Sequence, residues 1–348
     1  MWVTAIIGIA TKFFTCTLSV MFREKSNEGE ILGGPMYVIK NGLPKNMLPL
    51  AYFFAFAGMI GCLPAFQSNQ LIQITGDLGF SNIENFNIYG GLSLASITAL
   101  VVLGGLKRIA EVASYLVPFM GSIYFGAMLI AIVLNINLVI PAFSLIITDA
   151  FSGTAIAGGT FFGVLIYGVR RGAFSNEAGM GTESLVHGAA KVSNPVKQGL
   201  VAMTGPIFDT LIICTATALM ILISGVWETS ASQGVTLTAE AFSSLLGSFG
   251  GFVLFACVIC FGLSTIFTYS YYGASCSRFL FGKLGMRFYI YLYIISIFVY
   301  SIVPIDIAIN IADGAFAMMA IPTLVSALWL APKAVSYTHL TLPTTGSV

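Results

Sequence analysis

Nine stretches of this chain are apolar and almost free of charge over lengths near the roughly 20 residues that a helix needs to cross a bilayer. That feature leaves few folds open. Lipid offers no hydrogen-bond partners, so a crossing segment must satisfy its own backbone N–H and C=O groups, and a helix does so. The stretches are residues 1–21, 48–74, 88–105, 114–136, 154–169, 199–227, 249–273, 288–303 and 307–330. Turn residues punctuate them, among them Gly33-Gly34-Pro35, Gly104-Gly105 and Asn194-Pro195. The expected fold class is an all-α polytopic membrane protein.

Composition agrees. Of 348 residues, 57% are hydrophobic and 8% charged, against about 25% charged in a soluble domain. This excludes a soluble enzyme, a nucleic-acid-binding protein and a disordered chain. The composition implies the lipid bilayer as a partner, and the net charge of +1 identifies none. The positions of the charges say more. Arg23, Lys25, Lys40 and Lys45 follow the first stretch, and Lys107 and Arg108 the third. Arg170, Arg171, Lys191 and Lys197 follow the fifth, Arg278, Lys283 and Arg287 the seventh, and Lys333 the ninth. Lys12 alone lies within a stretch. The intervening loops carry acids only: Asp77, Glu84, Asp149, Glu228, Glu240 and Asp306. The positive-inside rule makes the basic side cytoplasmic, in a cell membrane. The first stretch then starts outside without a signal peptide, so a further upstream helix is expected.

Little catalytic chemistry is available. The six cysteines lie mostly in apolar runs, and Cys257-x-x-Cys260 falls inside an expected helix, where small apolar packing explains it better than redox or metal work. His187 and His339 are the only histidines, which leaves no histidine-built metal site. Walker A, dinucleotide-binding and nucleophile-elbow motifs are absent. Neither an enzyme nor an organic cofactor is expected.

Polar residues inside the stretches are the functional candidates. Asp209 lies in the sixth and Asp313 in the ninth, where Asp306, Asn310 and Asp313 share one helix face. Each acid serves either as a clamp between helices or as part of a cation path. Gln67, Asn69, Gln70 and Gln73 follow Pro64 and point to a wet cavity or a polar substrate. Ser264, Thr265 and Thr268 can ligate a small cation or bond neighbouring helices. The fifth stretch is short and carries Gly153, Gly158, Gly159, Gly163 and Gly168, the pattern of a broken helix beside a transporter binding site.

The run Arg171-Gly172-Ala173-Phe174-Ser175-Asn176-Glu177-Ala178-Gly179-Met180-Gly181-Thr182 resembles the signature of the alanine/glycine:cation symporter family, the sodium:alanine symporters. Gly33-Gly34-Pro35-Met36-Tyr37, Gly104-Gly105-Leu106-Lys107-Arg108-Ile109-Ala110 and Ala320-Ile321-Pro322 resemble further segments of it, over roughly residues 2–332. The resemblance implies a leucine-transporter-type five-plus-five inverted repeat, with about nine of the family's helices present and the first and last missing. It implies uptake of a small neutral amino acid, alanine or glycine, coupled to Na⁺ or H⁺ by alternating access. Na⁺ is the expected coupling ion. The substrate residues it implies are Gln67, Asn69, Gly158, Thr265, Ile266 and Tyr269, and the cation residues Ser264, Thr265 and Thr268. Many members carry Trp where this chain has Tyr269. The motif from Phe174 to Gly181 reads as a gating or packing element. Residues 1–334 form the expected symporter domain. Residues 335–348 are polar and Thr-rich, and Ser336 to Pro343 resembles a translated adaptor. The other readings are an uncoupled facilitator or channel, and an inactive fragment.

Overall fold

The computed structural model describes residues 1–341 apart from 78, 152–160 and 233. Helices dominate, and the one small sheet is an antiparallel pair of β1 (Glu24–Lys25) and β2 (Ile31–Leu32). Helix α1 (Trp2–Met21) precedes it, and α2 (Pro35–Gly42) follows it. Among the described residues, six helical segments are long and apolar enough to cross a membrane. The nine expected stretches map onto these six and onto shorter helices, so a count of nine crossings is not reproduced.

The differences have local causes. Residues 48–74 form two helices, α3 (Leu48–Gly61) and α4 (Ala65–Asp77). Pro64 lies between them and lacks the N–H that would carry a helix through. Helix α5 (Phe86–Val102) is too short for the six, as is α7 (Ile136–Ala150), an element that the sequence reading lacked. Between them runs α6 (Gly105–Leu134). Helix α8 (Phe161–Asn176) reaches well past residue 169, so Arg170 and Arg171 lie inside a helix and not in a loop after it.

The short α9 (Thr182–Ala189) and α10 (Pro195–Ala202) come next. The side chain of Asn194 caps α10, accepting from the Val196 and Lys197 N–H groups. The sixth stretch then breaks at Met203-Thr204. Beyond it come a π-helical segment (Ile207–Cys214) and α11 (Thr215–Ser224). After α12 (Val226–Thr229) and α13 (Val235–Leu246) comes α14 (Ser248–Tyr300), which is two helices in succession, one carrying the seventh stretch and the other the eighth. Gly282, at φ 69° and ψ −161°, turns the chain between its two halves. The last helix, α15 (Ile305–Thr341), continues past Ala334 into the polar tail.

Two clusters hold the bundle together. The larger joins α2, α3, α14 and α15 through Met36, Phe54, Ile266, Tyr293 and Met319. The smaller joins α6, α11, α13 and α14 through Met128, Met220, Phe242 and Leu254. Large apolar side chains such as Ile6, Phe56, Leu100, Val133, Ile140 and Leu328 remain exposed. So much exposed apolar surface fits a protein whose outer face meets lipid.

Candidate functional site

Several of the interior polar residues line one cavity of about 800 Å³. Five elements line it, among them the start of α13 through Gly234 and Val235. The break at Pro64 starts α4 afresh, and its first two turns present Gln67 and Gln70 to the cavity. Helix α8 presents Tyr167, Arg171 and Phe174, at i, i+4 and i+7, followed by Ser175 and Glu177. Helix α14 presents Phe261, Thr265 and Tyr269 at successive turns of one face. Helix α15 contributes Asp306 and Ile309.

The walls are rigid where aromatic rings meet. Phe174 packs edge-on against Phe66, at 5.9 Å between centroids, and against Phe316, at 5.6 Å. Tyr269 packs edge-on against Phe316 at 6.2 Å. Its hydroxyl donates to Oε1 of Glu177 at 3.0 Å. The other oxygen of Glu177 accepts from the Thr182 hydroxyl at 2.9 Å. Glu177 has φ 56°, the left-handed conformation that ends α8 and turns the chain toward α9. The guanidinium of Arg171 lies over the Tyr167 ring, 5.1 Å from its centroid, and its buried Nε has no hydrogen-bond partner.

The expected site residues divide. Gln67, Thr265 and Tyr269 line the cavity together. Asn69 does not. Its amide donates to the Val303 carbonyl at 2.7 Å and ties α4 to the chain just before α15. Ile266 is fully buried in the larger core cluster, and its carbonyl accepts from the Tyr293 hydroxyl at 2.7 Å. The hydroxyls of Ser264, Thr265 and Thr268 donate to carbonyls of their own helix, at 2.9, 2.9 and 2.8 Å. Such a hydroxyl keeps acceptor lone pairs for a cation. Of the three, only Thr265 faces the cavity. Asp209, in the π-helical segment, accepts from the Ser175 hydroxyl and, at 3.2 Å, from Thr210. It therefore ties α8 to the π-helical segment. Asp313 is half-buried on α15 and does not line the cavity. Gly158 lies outside the described residues. Among those described, no group of three or more His, Cys, Asp or Glu side chains is placed to hold a metal ion.

The sequence reading missed Arg171, Phe174 and Glu177 as cavity residues. The shared helix face of Tyr167, Arg171 and Phe174 was the signal available for the first two. For Glu177 no sequence signal distinguished a cavity wall from a packing turn. Asn176 and Met180 of the same motif are buried. Glu183 is 3% exposed and accepts from the Thr15 hydroxyl at 2.8 Å and the Gly181 N–H at 2.9 Å. Burial pushes its carboxyl up, although the Lys12 charge and Thr15 pull it back. Burial also lowers His187 to about 4, in keeping with a neutral ring whose Nδ1 accepts from the Gln198 amide at 2.6 Å.

The comparisons with known proteins decide the family. The model of the sodium:alanine symporter family matches residues 1–340. The chain belongs to that family. It is therefore a transmembrane symporter and not an enzyme. The match reaches beyond Pro332, where the motif resemblance stopped. The sodium/alanine symporter AgcS of Methanococcus maripaludis is 37% identical over 344 residues, covering 97% of this chain and 75% of the relative. The Bacillus subtilis protein named a probable sodium/glutamine symporter, GlnT, is 34% identical and covers 96% and 69%. The amino-acid carrier protein AlsT of the same organism is 32% identical and covers 93% and 69%.

Proposed function

We propose that this symporter couples uptake of a small neutral amino acid, alanine or glycine, to an inward Na⁺ gradient across the cell membrane. The observation that carries the reading is the cavity that sets Gln67, Thr265 and Tyr269 around one space, with aromatic rings beneath it. An amide, a hydroxyl and ring faces suit a solute with a polar head and a methyl or hydrogen side chain. Thr265 places a hydroxyl oxygen where a hard cation such as Na⁺ is readily accommodated. The names of AgcS and GlnT support Na⁺ as the coupling ion, and that of AgcS supports alanine. Alternating access by a five-plus-five inverted repeat is the mechanism that family membership favours, with the basic loops on the cytoplasmic side.

Gln67→Ala and Thr265→Ala test the site. Each removes one polar group from the cavity while leaving the core clusters untouched. Each is expected to raise the alanine concentration for half-maximal uptake by about fivefold or more, the equivalent of one lost hydrogen bond. Unchanged uptake kinetics in both variants would remove them from the substrate site.

A further inference from the structure

A second cavity, of about 430 Å³, lies across α14 from the first. Phe261, Thr265 and Tyr269 line the first, whereas Tyr271, Ala274 and Arg278 line the second. Thr265 and Ala274 are nine residues apart, which at about 100° per residue puts them on opposite faces of the helix. Residues 29–33, from the turn after β1 through β2, form another wall. Val102, Leu106 and Ile109 line it where α5 gives way to α6. Lys191 enters from beyond α9, and Met286 and Ile290 from the second half of α14.

This cavity sits where apolar helices end. Helix α6 begins at Gly105, and the first half of α14 ends at Gly282. Lys107, Arg108, Lys283 and Arg287 follow closely. Leu106, Phe281 and Leu284 are exposed beside them. Basic and apolar side chains exposed together at helix ends mark a bilayer surface. The cavity repeats that division inside. Ile31, Ile109, Met286 and Ile290 are apolar, while Lys191 and Arg278 are cations. Glu30 is the acid on the wall, and it already pairs with Arg278. That bond uses one of the guanidinium's donors. Lys191 is exposed, and among the described residues no acid pairs with it. The wall therefore carries net positive charge beside apolar surface.

We propose that this cavity binds an anionic phospholipid, with Lys191 and Arg278 taking its phosphate and the apolar wall taking the start of an acyl chain. A free phosphate leaves the apolar wall in contact with water, and a neutral amphiphile leaves Lys191 without a counter-charge. An anionic lipid meets both needs, as in other basic pockets between membrane helices. Phosphatidylcholine carries an ammonium beside its phosphate and so gains less from two cations. The bound lipid touches the β1–β2 turn, the α5–α6 corner and both halves of α14, and it fastens them to one another. This site is independent of which solute the larger cavity carries.

Equilibrium binding of radiolabelled phosphatidylglycerol to the purified chain in neutral detergent micelles tests this. Unlabelled phosphatidylglycerol, phosphatidylcholine and glycerol 3-phosphate serve as competitors. Saturable binding is expected, with phosphatidylglycerol displacing the label about tenfold better than phosphatidylcholine and glycerol 3-phosphate not displacing it. Lys191→Gln and Arg278→Gln should each weaken binding by about fivefold, the effect of one cation at a bilayer surface. Lys191→Gln breaks no ion pair, so it keeps the test open if Arg278→Gln disturbs the fold. Lys45→Gln and Lys197→Gln remove basic residues outside the cavity and should leave affinity within about twofold. An unchanged affinity in Lys191→Gln, or equal weakening in all four variants, would overturn the proposal. Equal competition by phosphatidylcholine would overturn it in favour of a general lipid contact. Displacement by glycerol 3-phosphate as strong as by phosphatidylglycerol would overturn it in favour of a soluble anion.

Discussion

Replacing Glu183 with leucine is expected to leave a protein that does not survive purification as a monodisperse species. The carboxylate is almost wholly buried between α1 and α9. It accepts from the Thr15 hydroxyl, from the Gly181 N–H and, at 3.4 Å, from the Gly179 N–H. Gly179 and Gly181 have φ 81° and 91°, so the backbone between α8 and α9 coils around this side chain in left-handed steps. Leucine fills the space and accepts nothing. Each stranded donor costs about 1–3 kcal/mol, against a total stability of about 5–15 kcal/mol for a typical domain. Glutamine should fall between the two. Its carbonyl oxygen can still accept from Thr15, but its amide then meets the Gly181 N–H donor to donor. Size-exclusion profiles and melting temperatures in detergent should rank the unsubstituted chain above Glu183→Gln, and Glu183→Gln above Glu183→Leu. A leucine variant as stable as the unsubstituted chain would contradict this account of the turn.

The second large effect is expected at Gly188. Here α9 crosses the chain entering α2 with backbone against backbone. A Cβ at Gly188 would lie 2.9 Å from the Gly33 Cα and would fall on the Ser19 hydroxyl. That hydroxyl donates to the Ser184 carbonyl at 2.7 Å and accepts from the Gly34 N–H at 2.8 Å. Valine at 188 must therefore push apart two backbones and break both bonds of Ser19. A cost of about 3 kcal/mol or more follows, lowering Tm by about 6 °C or more. Gly126→Ala is the matched control, since an added Cβ there meets nothing within 4 Å. It should leave Tm unchanged or raised, because alanine is the better helix former. Equal melting of the two variants would show that the crossing is looser than described.

These two sites also show how far the sequence could be read. The motif around Ser175 to Gly181 and the pair Gly33-Gly34 stood out in the chain, and both mark tight backbone contacts. Their partners did not stand out. Nothing near Gly33 in sequence points to Gly188, because the approach is made by two segments that meet only after α1 and α9 pack. The apolar stretches gave the bundle, since hydropathy over about 20 residues is a local property. Local hydropathy was blind to the break at Pro64 and to the π-helical turn that carries Asp209. Those depend on single residues within runs that look continuous. Among the candidates, Gln67, Thr265 and Tyr269 share the cavity, whereas Asn69 and Ile266 serve packing. All five are polar or bulky residues of the same two helices. Helical phase separates them, and the exact phase of α4 was hidden by the break before it.

The central claim is that movement of an amino acid through this cavity is driven by Na⁺. Uptake of radiolabelled alanine into proteoliposomes, with an inward Na⁺ gradient or with K⁺ in its place, tests it most directly. The account predicts accumulation above equilibrium with the Na⁺ gradient and none with K⁺ or after a Na⁺ ionophore collapses the gradient. Equal uptake in all three conditions would contradict coupling and make the protein a facilitator.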